Sequence, residues 1–398
     1  MGVLQKCENV SSIISKMKPS NSVLCFDPTK IRQRVSLFQN GFPGDVSWAV
    51  KSNPHPNVVQ AIIESGIKEF DVASKGEIDQ LRYQAPSAKL NFNHPIKPPE
   101  EISYAYFCQN IDTFVVDCME EVQKIAEEFK KALKNDFSDV TLLVRFKDPS
   151  AKRSDNYDFG AKFGATPEEA HHLLRHCKEK GFKVGMTFHP GSQNKNAEAY
   201  TQLMDTAHNI AVSAFGSAGA NIITTLNVGG GFPCYYPDDD ALDLSEYFLA
   251  VEKGAQNHDC RIICEPGRGL VSDSMSVLTR VNMRRKGRNE LYINDGFYGS
   301  FMELPFVSFM PPARAYTKDG EPIKTTEKDS EEFLIWGATC DSIDKIPKPV
   351  HLPSKIAVGD YIEFGLMGAY TNATDTGFNG IAAADMVEVE ELAPWEPE

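Results

Sequence analysis

The chain has 398 residues, of which 41% are hydrophobic and 24% are charged, and its formal net charge is −14. This length allows a large barrel plus a second domain, and the acidity argues against nucleic-acid binding, which requires a basic surface. Residues 1–18 lack the apolar core of a secretory signal, and no apolar run approaches the roughly 18 residues that cross a membrane. Neither export nor a membrane partner is therefore expected.

The nine cysteines are typical of a reduced, cytoplasmic protein. Their number is odd, and no two of them form a CxxC pair. Disulfide frameworks and zinc sites show even counts or paired spacings instead. His189 also has no Cys or His at metal-ligand spacing, so no metal site is expected.

Eight short apolar runs, each ending in a polar or glycine-rich cluster, dominate the first two thirds of the chain. Segments with helical periodicity, such as residues 119–135 and 198–218, lie between them. Strands that alternate with helices form parallel sheets, and eight such units in roughly 250 residues fit an α/β fold of the TIM (β/α)8 barrel type. A doubly wound α/β sheet is the alternative that periodicity leaves open. The runs cover residues 46–53, 69–74, 89–93, 113–117, 141–146, 182–192, 222–231 and 261–268.

The pattern changes after residue 268, where strands follow one another with few helices between them. Turn sequences such as KGRN and KDGEP separate these strands, which predicts a mostly antiparallel β-sheet domain. Residues 311–332 are predicted to form a mobile loop. We therefore assign residues 25–268 to the barrel and residues 1–24 plus 269–398 to the second domain. The predicted strands cover residues 271–283, 291–298, 333–336, 355–364 and 381–389.

Polar side chains at the ends of the predicted barrel strands are the candidate catalytic groups, because TIM barrels carry their active sites there. Lys51 ends the first strand in the motif AVKSN. Burial lowers the pKa of a lysine, and a neutral amine can form a Schiff base. A lysine that extends from the strand end into solvent is the alternative.

Two glycine-bearing strand ends indicate a phosphate site. Gly229–Gly231 follow the seventh strand, and Gly267 with Arg268 follow the eighth, where barrels usually bind phosphate. Tight turns also use glycine, so the run alone does not decide. Glu265 could keep the nitrogen of a bound pyridine ring protonated, or it could only pair with Arg268.

Three further positions have a functional and a structural interpretation. His189 could stack on a cofactor ring or support a neighbouring side chain. Ser192 could donate to phosphate or form a turn. Cys340 could donate a proton beside Asp341, which could receive a substrate amine, although a buried structural thiol is the alternative.

In their order along the chain, the motifs resemble those of ornithine decarboxylase-like enzymes, the fold type III decarboxylases that use pyridoxal 5′-phosphate (PLP). The resemblance covers about residues 26–381. The matching motifs are AVKSN, FDVASKGEI, AKFGA, FHPGS, NVGGGFP, CEPGR, NDGFYGSF, WGATCDSID, GDYIEFGLMGAYT and FNG.

The resemblance implies PLP as cofactor and release of CO2 from an L-amino acid. Lys51 would carry PLP, Glu265 would pair with the pyridine nitrogen, and His189 would stack on the ring. Asp71 and Arg145 would be supporting polar groups. The phosphate would be held by Ser192, Gly229, Gly230, Gly231, Gly267, Arg268 and Tyr370.

The family is also a head-to-tail homodimer with shared active sites, so the second domain is expected to complete the site of a second copy. Cys340 would protonate the substrate Cα from across the interface, and Asp341 would face the far end of the substrate side chain. The other substrate-facing positions that the resemblance implies are Tyr298, Phe306, Val307 and Phe378.

One departure from the family bears on the substrate. The ornithine enzymes carry a Tyr-Asp pair where this chain has Phe306 and Val307, so the acidic residue that binds the distal amine is missing. A basic substrate of the ornithine or lysine type, used in polyamine synthesis, remains the first expectation because of Asp341. Glu303 could replace the missing acid, and a less cationic or modified amino acid is the rival.

Two other functions share the barrel. A racemase of this fold favours an arginine at the pyridine nitrogen, and Glu265 argues against it. A non-catalytic regulatory homologue would tend to lose the lysine or the cofactor ligands. This chain keeps Lys51, His189, Glu265, Arg268, Cys340 and Tyr370.

Overall fold

The structure is a computed structural model that describes residues 3–132, 134–148, 150, 162–237, 243–324 and 328–395. The chain begins with strand β1 (Lys6–Cys7), helix α1 (Val10–Met17) and strand β2 (Val23–Phe26). A barrel follows, and the chain then forms a second sheet that includes β1 and β2.

Eight parallel strands close into the barrel, each pairing with the next and the last with the first. Most of their residues are buried because one face packs inside the barrel and the other under helices, which explains the continuous apolar runs of the sequence. The prediction of a TIM barrel is confirmed, and the doubly wound alternative is wrong. The strands are β3 (Asp45–Ala49), β4 (Glu69–Val72), β5 (Lys89–Phe92), β6 (Thr113–Val116), β7 (Thr141–Arg145), β8 (Lys183–Thr187), β9 (Ile223–Asn227) and β10 (Arg261–Cys264).

Helices connect the barrel strands, and several begin at a side-chain cap that the sequence provides. Asp27, Ser74 and Thr166 accept hydrogen bonds from the first-turn backbone N–H groups of α2, α4 and α7 respectively. The helices are α2 (Pro28–Gly41), α3 (Pro56–Glu64), α4 (Lys75–Gln84), α5 (Pro99–Ser103), α6 (Met119–Lys131), α7 (Pro167–Glu179), α8 (Glu198–Phe215), α9 (Gly219–Ile222), α10 (Leu244–Ala255) and α11 (Arg268–Val271). A π-helical turn covers Tyr104–Cys108, and 3-10 turns cover Val50–Ser52, Gly216–Ala218, Ser272–Ser274, Leu304–Phe306, Asn372–Thr374 and Phe378–Gly380.

The second sheet has ten strands and is mostly antiparallel, as predicted. Its main order is β1-β18-β2-β11-β12-β15-β16, and the long strand β11 also pairs with β17. Residues 311–332, predicted as a loop, contain two short paired strands, so that prediction is wrong. The strands are β11 (Met275–Arg284), β12 (Glu290–Ile293), β13 (Ala313–Tyr316), β14 (Pro322–Ile323), β15 (Ser330–Trp336), β16 (Val350–Pro353), β17 (Tyr361–Phe364) and β18 (Asp385–Val389).

The barrel and the second sheet share one hydrophobic core. Phe26 and Phe364 of the second sheet belong to the same buried cluster as Phe70 of the barrel. The proposed division at residue 25 stays a prediction; the strand that contains this residue pairs in the second sheet. Among the described residues, no helix has both the length and the apolar character needed to cross a bilayer.

Residues 365–371 of the second domain are attached directly to the end of barrel strand β3. The backbone N–H of Tyr370 donates to the carbonyl of Ser52 at 2.8 Å, and the Asn53 side chain donates to the carbonyl of Gly368 at 2.8 Å. This attachment brings Tyr370 to the C-terminal mouth of the barrel.

Candidate active site

A cavity lies at the C-terminal ends of the barrel strands, and most of the predicted cofactor residues line it. Three lining residues were not predicted, namely Ala49, Gln193 and Phe232. Gly229 stands behind the lining, between the seventh strand and Gly230. The predicted residues that line the cavity are Lys51, Asp71, Arg145, His189, Ser192, Gly230, Gly231, Glu265, Gly267, Arg268 and Tyr370.

Lys51 lies on the 3-10 turn that ends β3, and its side chain is about half exposed to the cavity (49%). Its Nζ is 3.1 Å from Oδ2 of Asp71, a buried carboxylate at the end of the neighbouring strand. The Asp71 charge raises the pKa of Lys51 and outweighs the opposing effect of desolvation. The prediction that burial lowers this pKa is therefore wrong, because the pairing with Asp71 dominates.

A second carboxyl group, Glu77, stands behind Asp71. Burial raises its pKa to about 7, and the charge of Asp71 adds to the effect. Its Oε2 accepts the backbone N–H of Ala73 at 2.7 Å, at the start of α4. Sequence analysis did not single it out, although Ser74 and Glu77 have the spacing of a capping box.

Glu265 follows the last barrel strand and is buried. Desolvation is the largest influence on its pKa and raises it, and Asp71 raises it further while Lys51 lowers it. Two amides donate to its Oε1: Nδ2 of Asn227 at 2.5 Å and Nδ2 of Asn93. Neither asparagine was predicted, because a neutral amide at a strand end carries no distinctive sequence signal.

The glycine run forms a tight backbone turn against the loop that follows β8. Gly229 and Gly231 have φ values of +70° and +92°, which side chains rarely adopt. A Cβ on Gly231 would also overlap the carbonyl oxygen of Gly191. In that loop the backbone N–H of Gly191 donates to Nδ1 of His189 at 3.1 Å, so Nδ1 is the acceptor nitrogen of the ring.

Arg268 is buried, with partners for two of its three guanidinium nitrogens. Nη1 donates to the hydroxyl of Tyr236 at 3.0 Å, and Nη2 donates to Glu303. Nε is buried and has no hydrogen-bond partner among the described residues. The guanidinium lies 4.9 Å from the ring centre of Phe309 and 5.2 Å from that of Tyr370.

These residues fit PLP. Within the described part of the chain, the buried donor Nε of Arg268 lacks an acceptor, which costs about 1–3 kcal/mol and which an anionic group such as phosphate relieves. The glycine turn beside it exposes backbone where a Cβ has no room. Lys51 supplies the amine and Glu265 the buried carboxylate that this cofactor requires.

A second cavity of about 330 Å³ adjoins the first and shares Lys51, Ser192, Gln193 and Tyr370 with it. Its remaining wall is mostly apolar, and the acidic residue in it, Glu303, is paired with Arg268. Burial raises the pKa of Glu303, while Arg268 lowers it. Phe306 and Val307, predicted to face the substrate, line this cavity together with Lys51, Ser192, Gln193, Met302, Glu303, Phe309, Tyr370 and Thr374.

The other four predicted positions lie apart, in a cluster on the second domain that lines neither cavity. The hydroxyl of Tyr298 donates to Oδ2 of Asp341 at 2.6 Å, and this bond lowers the pKa of Asp341. The ring of Tyr298 packs on Phe378 at 4.4 Å between centres. Cys340 is exposed, and its Sγ is 3.3 Å from Oδ1 of Asn379. Within one chain, the structure does not bring this cluster to Lys51.

Comparison with known proteins gives consistent matches. A family model described as pyridoxal-dependent decarboxylase, pyridoxal binding domain, matches residues 28–272. The decarboxylase flvG of Aspergillus flavus is 30% identical over 84% of this chain and 77% of its own length, and ornithine decarboxylase 2 of Drosophila melanogaster is 30% identical over 89% and 88%. The crystal structure of the Paramecium bursaria Chlorella virus arginine decarboxylase superposes with a TM-score of 0.81 at 26% identity, covering 96% of this chain and 99% of that one.

Proposed function

The chain belongs to the pyridoxal-dependent decarboxylase family, and on this premise we propose that it releases CO2 from a basic L-amino acid of the ornithine or lysine type. The observation that carries the proposal is the pairing of Lys51 with Asp71 in a cavity that also holds Glu265 and the buried Nε donor of Arg268. Product amines of this class would place the enzyme in cytoplasmic polyamine synthesis.

Bound PLP supplies a conjugated ring that takes up the electron pair left when the bond between Cα and the carboxylate breaks. Lys51 is the amine that attaches the cofactor. Oδ2 of Asp71, at 3.1 Å, would hold the Lys51 amine at the mouth of the barrel, where the cofactor would bind. Glu265 would hold a proton on the ring nitrogen, and His189 and Arg145, which line the same cavity, would support the ring.

The phosphate end would be held by backbone and side-chain groups that already lie together at the cavity. Gly229–Gly231 and Gly267 offer backbone close to the cavity, Arg268 offers the donor Nε, and Tyr370 and Ser192 border the same space. Donors of this kind hold an anion with little reorganisation, so they would keep the reactive end of the cofactor beside Lys51.

We further propose a homodimer in which the cluster of Tyr298, Cys340, Asp341 and Phe378 completes the cavity of a second copy. In the isolated chain this cluster lines neither cavity, and Cys340, Phe378 and the nearby Ile343 are exposed. Cys340 would then protonate the substrate Cα, and Asp341 would receive the distal amine.

Subunit mixing tests the shared site. Lys51→Ala and Cys340→Ala are each expected to be nearly inactive as pure proteins. A refolded equal mixture should recover about a quarter of the wild-type rate, because half of the dimers are mixed and each has one intact site. A mixture as inactive as its parents would show that both residues act from the same chain.

A substrate with a less cationic side chain is the second candidate. It is favoured by the apolar wall of the 330 Å³ cavity and by the pairing of Glu303 with Arg268, which commits the acid of that wall to another partner. The deciding experiment is CO2 release by PLP-loaded protein from a panel of L-amino acids, with Lys51→Ala as control. Turnover of ornithine or lysine supports Asp341 as the amine receiver, whereas turnover of leucine, methionine or phenylalanine alone supports the second candidate.

A further inference from the structure

Glu265 is held by two side-chain amides that converge on one of its oxygens. Asn227 ends strand β9 and Asn93 follows strand β5, so the two donors reach Oε1 of Glu265 from different strands of the barrel. Oε2 is then the oxygen left for a further donor in the cavity that Glu265 lines.

The orientation of the Asn227 amide is fixed by the glycine turn. Its Oδ1 accepts the backbone N–H of Gly229 at 2.9 Å, so its Nδ2 has to point to Glu265. The backbone N–H of Glu265 donates in turn to the carbonyl of Gly229 at 2.8 Å. Asn227 therefore connects the backbone of the glycine turn, Gly229–Gly231, to the buried carboxylate of Glu265.

Hydrogen bonds to neighbouring strands hold the loop that contains Asn93 in place. The backbone N–H of Asn93 donates to the carbonyl of Val72 at 3.0 Å. Four residues later, the buried Nζ of Lys97 donates to the carbonyls of His94 at 2.9 Å and Val115 at 2.7 Å, and it pairs with Glu121 at 3.0 Å. This anchor holds the loop in place, so the Asn93 amide is presented to Glu265 by a rigid support.

We propose that Asn93 and Asn227 are positioning residues that favour the carboxylate form of Glu265 and direct its Oε2 to the ring nitrogen of the cofactor. The inference rests on the proposed role of Glu265. A carboxylate that accepts two hydrogen bonds on one oxygen is stabilised in its charged form and cannot rotate freely.

The amides are needed because the surroundings of Glu265 disfavour charge. Burial and the nearby carboxylate of Asp71 raise its pKa, and the thiol of Cys264 adjoins it in the chain. Lys51 and Arg145 act in the opposite direction across the cavity, and the hydrogen bond from Asn227 adds to them. The pKa of Glu265 is still raised to about 8 with these donors in place. Without donors at Oε1 its pKa would rise further, and the acid would hold a proton on the ring less well.

The experiment titrates Glu265 by infrared difference spectroscopy in cofactor-free protein, with Glu265→Gln to identify its carboxyl band. Asn93→Ala and Asn227→Ala should each raise the Glu265 midpoint by roughly one pH unit, the usual size for one hydrogen bond to a carboxylate. Asn91→Ala is the matched control. Asn91 is a buried amide in strand β5, two residues before Asn93, and it donates to Glu69 at 2.7 Å and not to Glu265. Its Glu265 midpoint should equal that of the wild type.

Asn93→Leu is the near-isosteric variant to use if Asn93→Ala does not fold. In PLP-loaded protein, both Asn93 variants should lower kcat about tenfold with little change in KM, since the carboxylate acts on the ring and not on substrate binding. An unchanged Glu265 midpoint in a folded Asn93 variant overturns the proposal, even if activity falls. The infrared midpoint needs no turnover, so a wild type that releases no CO2 from any amino acid refutes the proposed function without touching this result.

Discussion

The ion pair between Arg268 and Glu303 predicts that this carboxylate competes with the cofactor phosphate. In the proposed site both anions would use the same buried guanidinium, and Glu303 already occupies its Nη2. The substitution Glu303→Gln removes the negative charge and keeps a neutral acceptor of the same shape. Arg268 therefore retains a partner, while phosphate meets a weaker competitor.

The size of the effect follows from the bonds of Arg268. With Glu303 in place, phosphate gains the bond from Nε; in the Glu303→Gln variant it also gains a share of Nη2. One further charge-assisted hydrogen bond contributes about 1.5–3 kcal/mol. Since about 1.4 kcal/mol is tenfold in affinity, Glu303→Gln should bind PLP roughly ten to a hundred times more tightly.

The assay is titration of cofactor-free protein with PLP and, separately, with pyridoxal, which lacks the phosphate. The gain should appear for PLP and be absent for pyridoxal. Cofactor-free Glu303→Gln should also unfold at lower urea concentration than the wild type, because a buried ion pair has lost its charge. Weaker PLP binding by the variant, or an equal change for pyridoxal, would refute the competition.

Three further predictions concern single residues. Asp71→Asn should lower the pKa of Lys51 by about one to two units, because the Asp71 charge is the largest influence that raises this pKa. The pH dependence of pyridoxal attachment to Lys51 measures the pKa, and the same midpoint in the variant and the wild type would contradict the prediction. Lys97→Met should lower the free energy of unfolding by about 3–5 kcal/mol in urea titrations, because it removes one of the two lysines paired with Glu121 and two charge-assisted hydrogen bonds to backbone carbonyls. In the wild type, burial lowers the pKa of Lys97 to about 8 from its ordinary value of 10.5. Between these two pH values the unfolded state binds more protons than the folded state, so the contribution of Lys97 to the free energy of unfolding increases as the pH rises from 8 to 10.5. Lys97→Met should lack this pH-dependent contribution. Gly231→Ala should weaken PLP binding at least about tenfold when cofactor-free protein is titrated with PLP. The reason is that Gly231 has a φ of +92° and that an added Cβ would overlap the carbonyl oxygen of Gly191. PLP affinity equal to that of the wild type would show that the turn adapts.

The barrel could be predicted because each of its strands is buried on both faces. Runs such as TFVV of β6 have no polar alternation, and each ends where the chemistry begins. The same logic placed Lys51, Asp71 and Glu265 at one mouth. Strands β13 and β14 were missed because they are short and lie in a polar stretch whose pairing partners are set by β17, far along the chain.

The charge states at the site could not be predicted from local sequence. Asp71 is 20 residues from Lys51, but barrel register places it opposite Ala49, two residues before the lysine. This pairing reverses the direction of the Lys51 pKa shift. The roles of Asn93 and Glu303 depend in the same way on partners more than 30 residues away. Barrel closure brings Glu265 to Asn93, and the packing of the second domain on the barrel brings Glu303 to Arg268.

The attachment of residues 365–371 to strand β3 has a consequence for the synthesis of the protein. The bond between Asn53 and Gly368 spans 315 positions, so the mouth of the barrel gains Tyr370 only after a segment far along the chain has been synthesised. Contacts of such long range form late and slow folding. The eight barrel strands alone therefore leave the cofactor pocket without one wall, and tight binding of the cofactor requires that residues 365–371 have docked on Ser52 and Asn53.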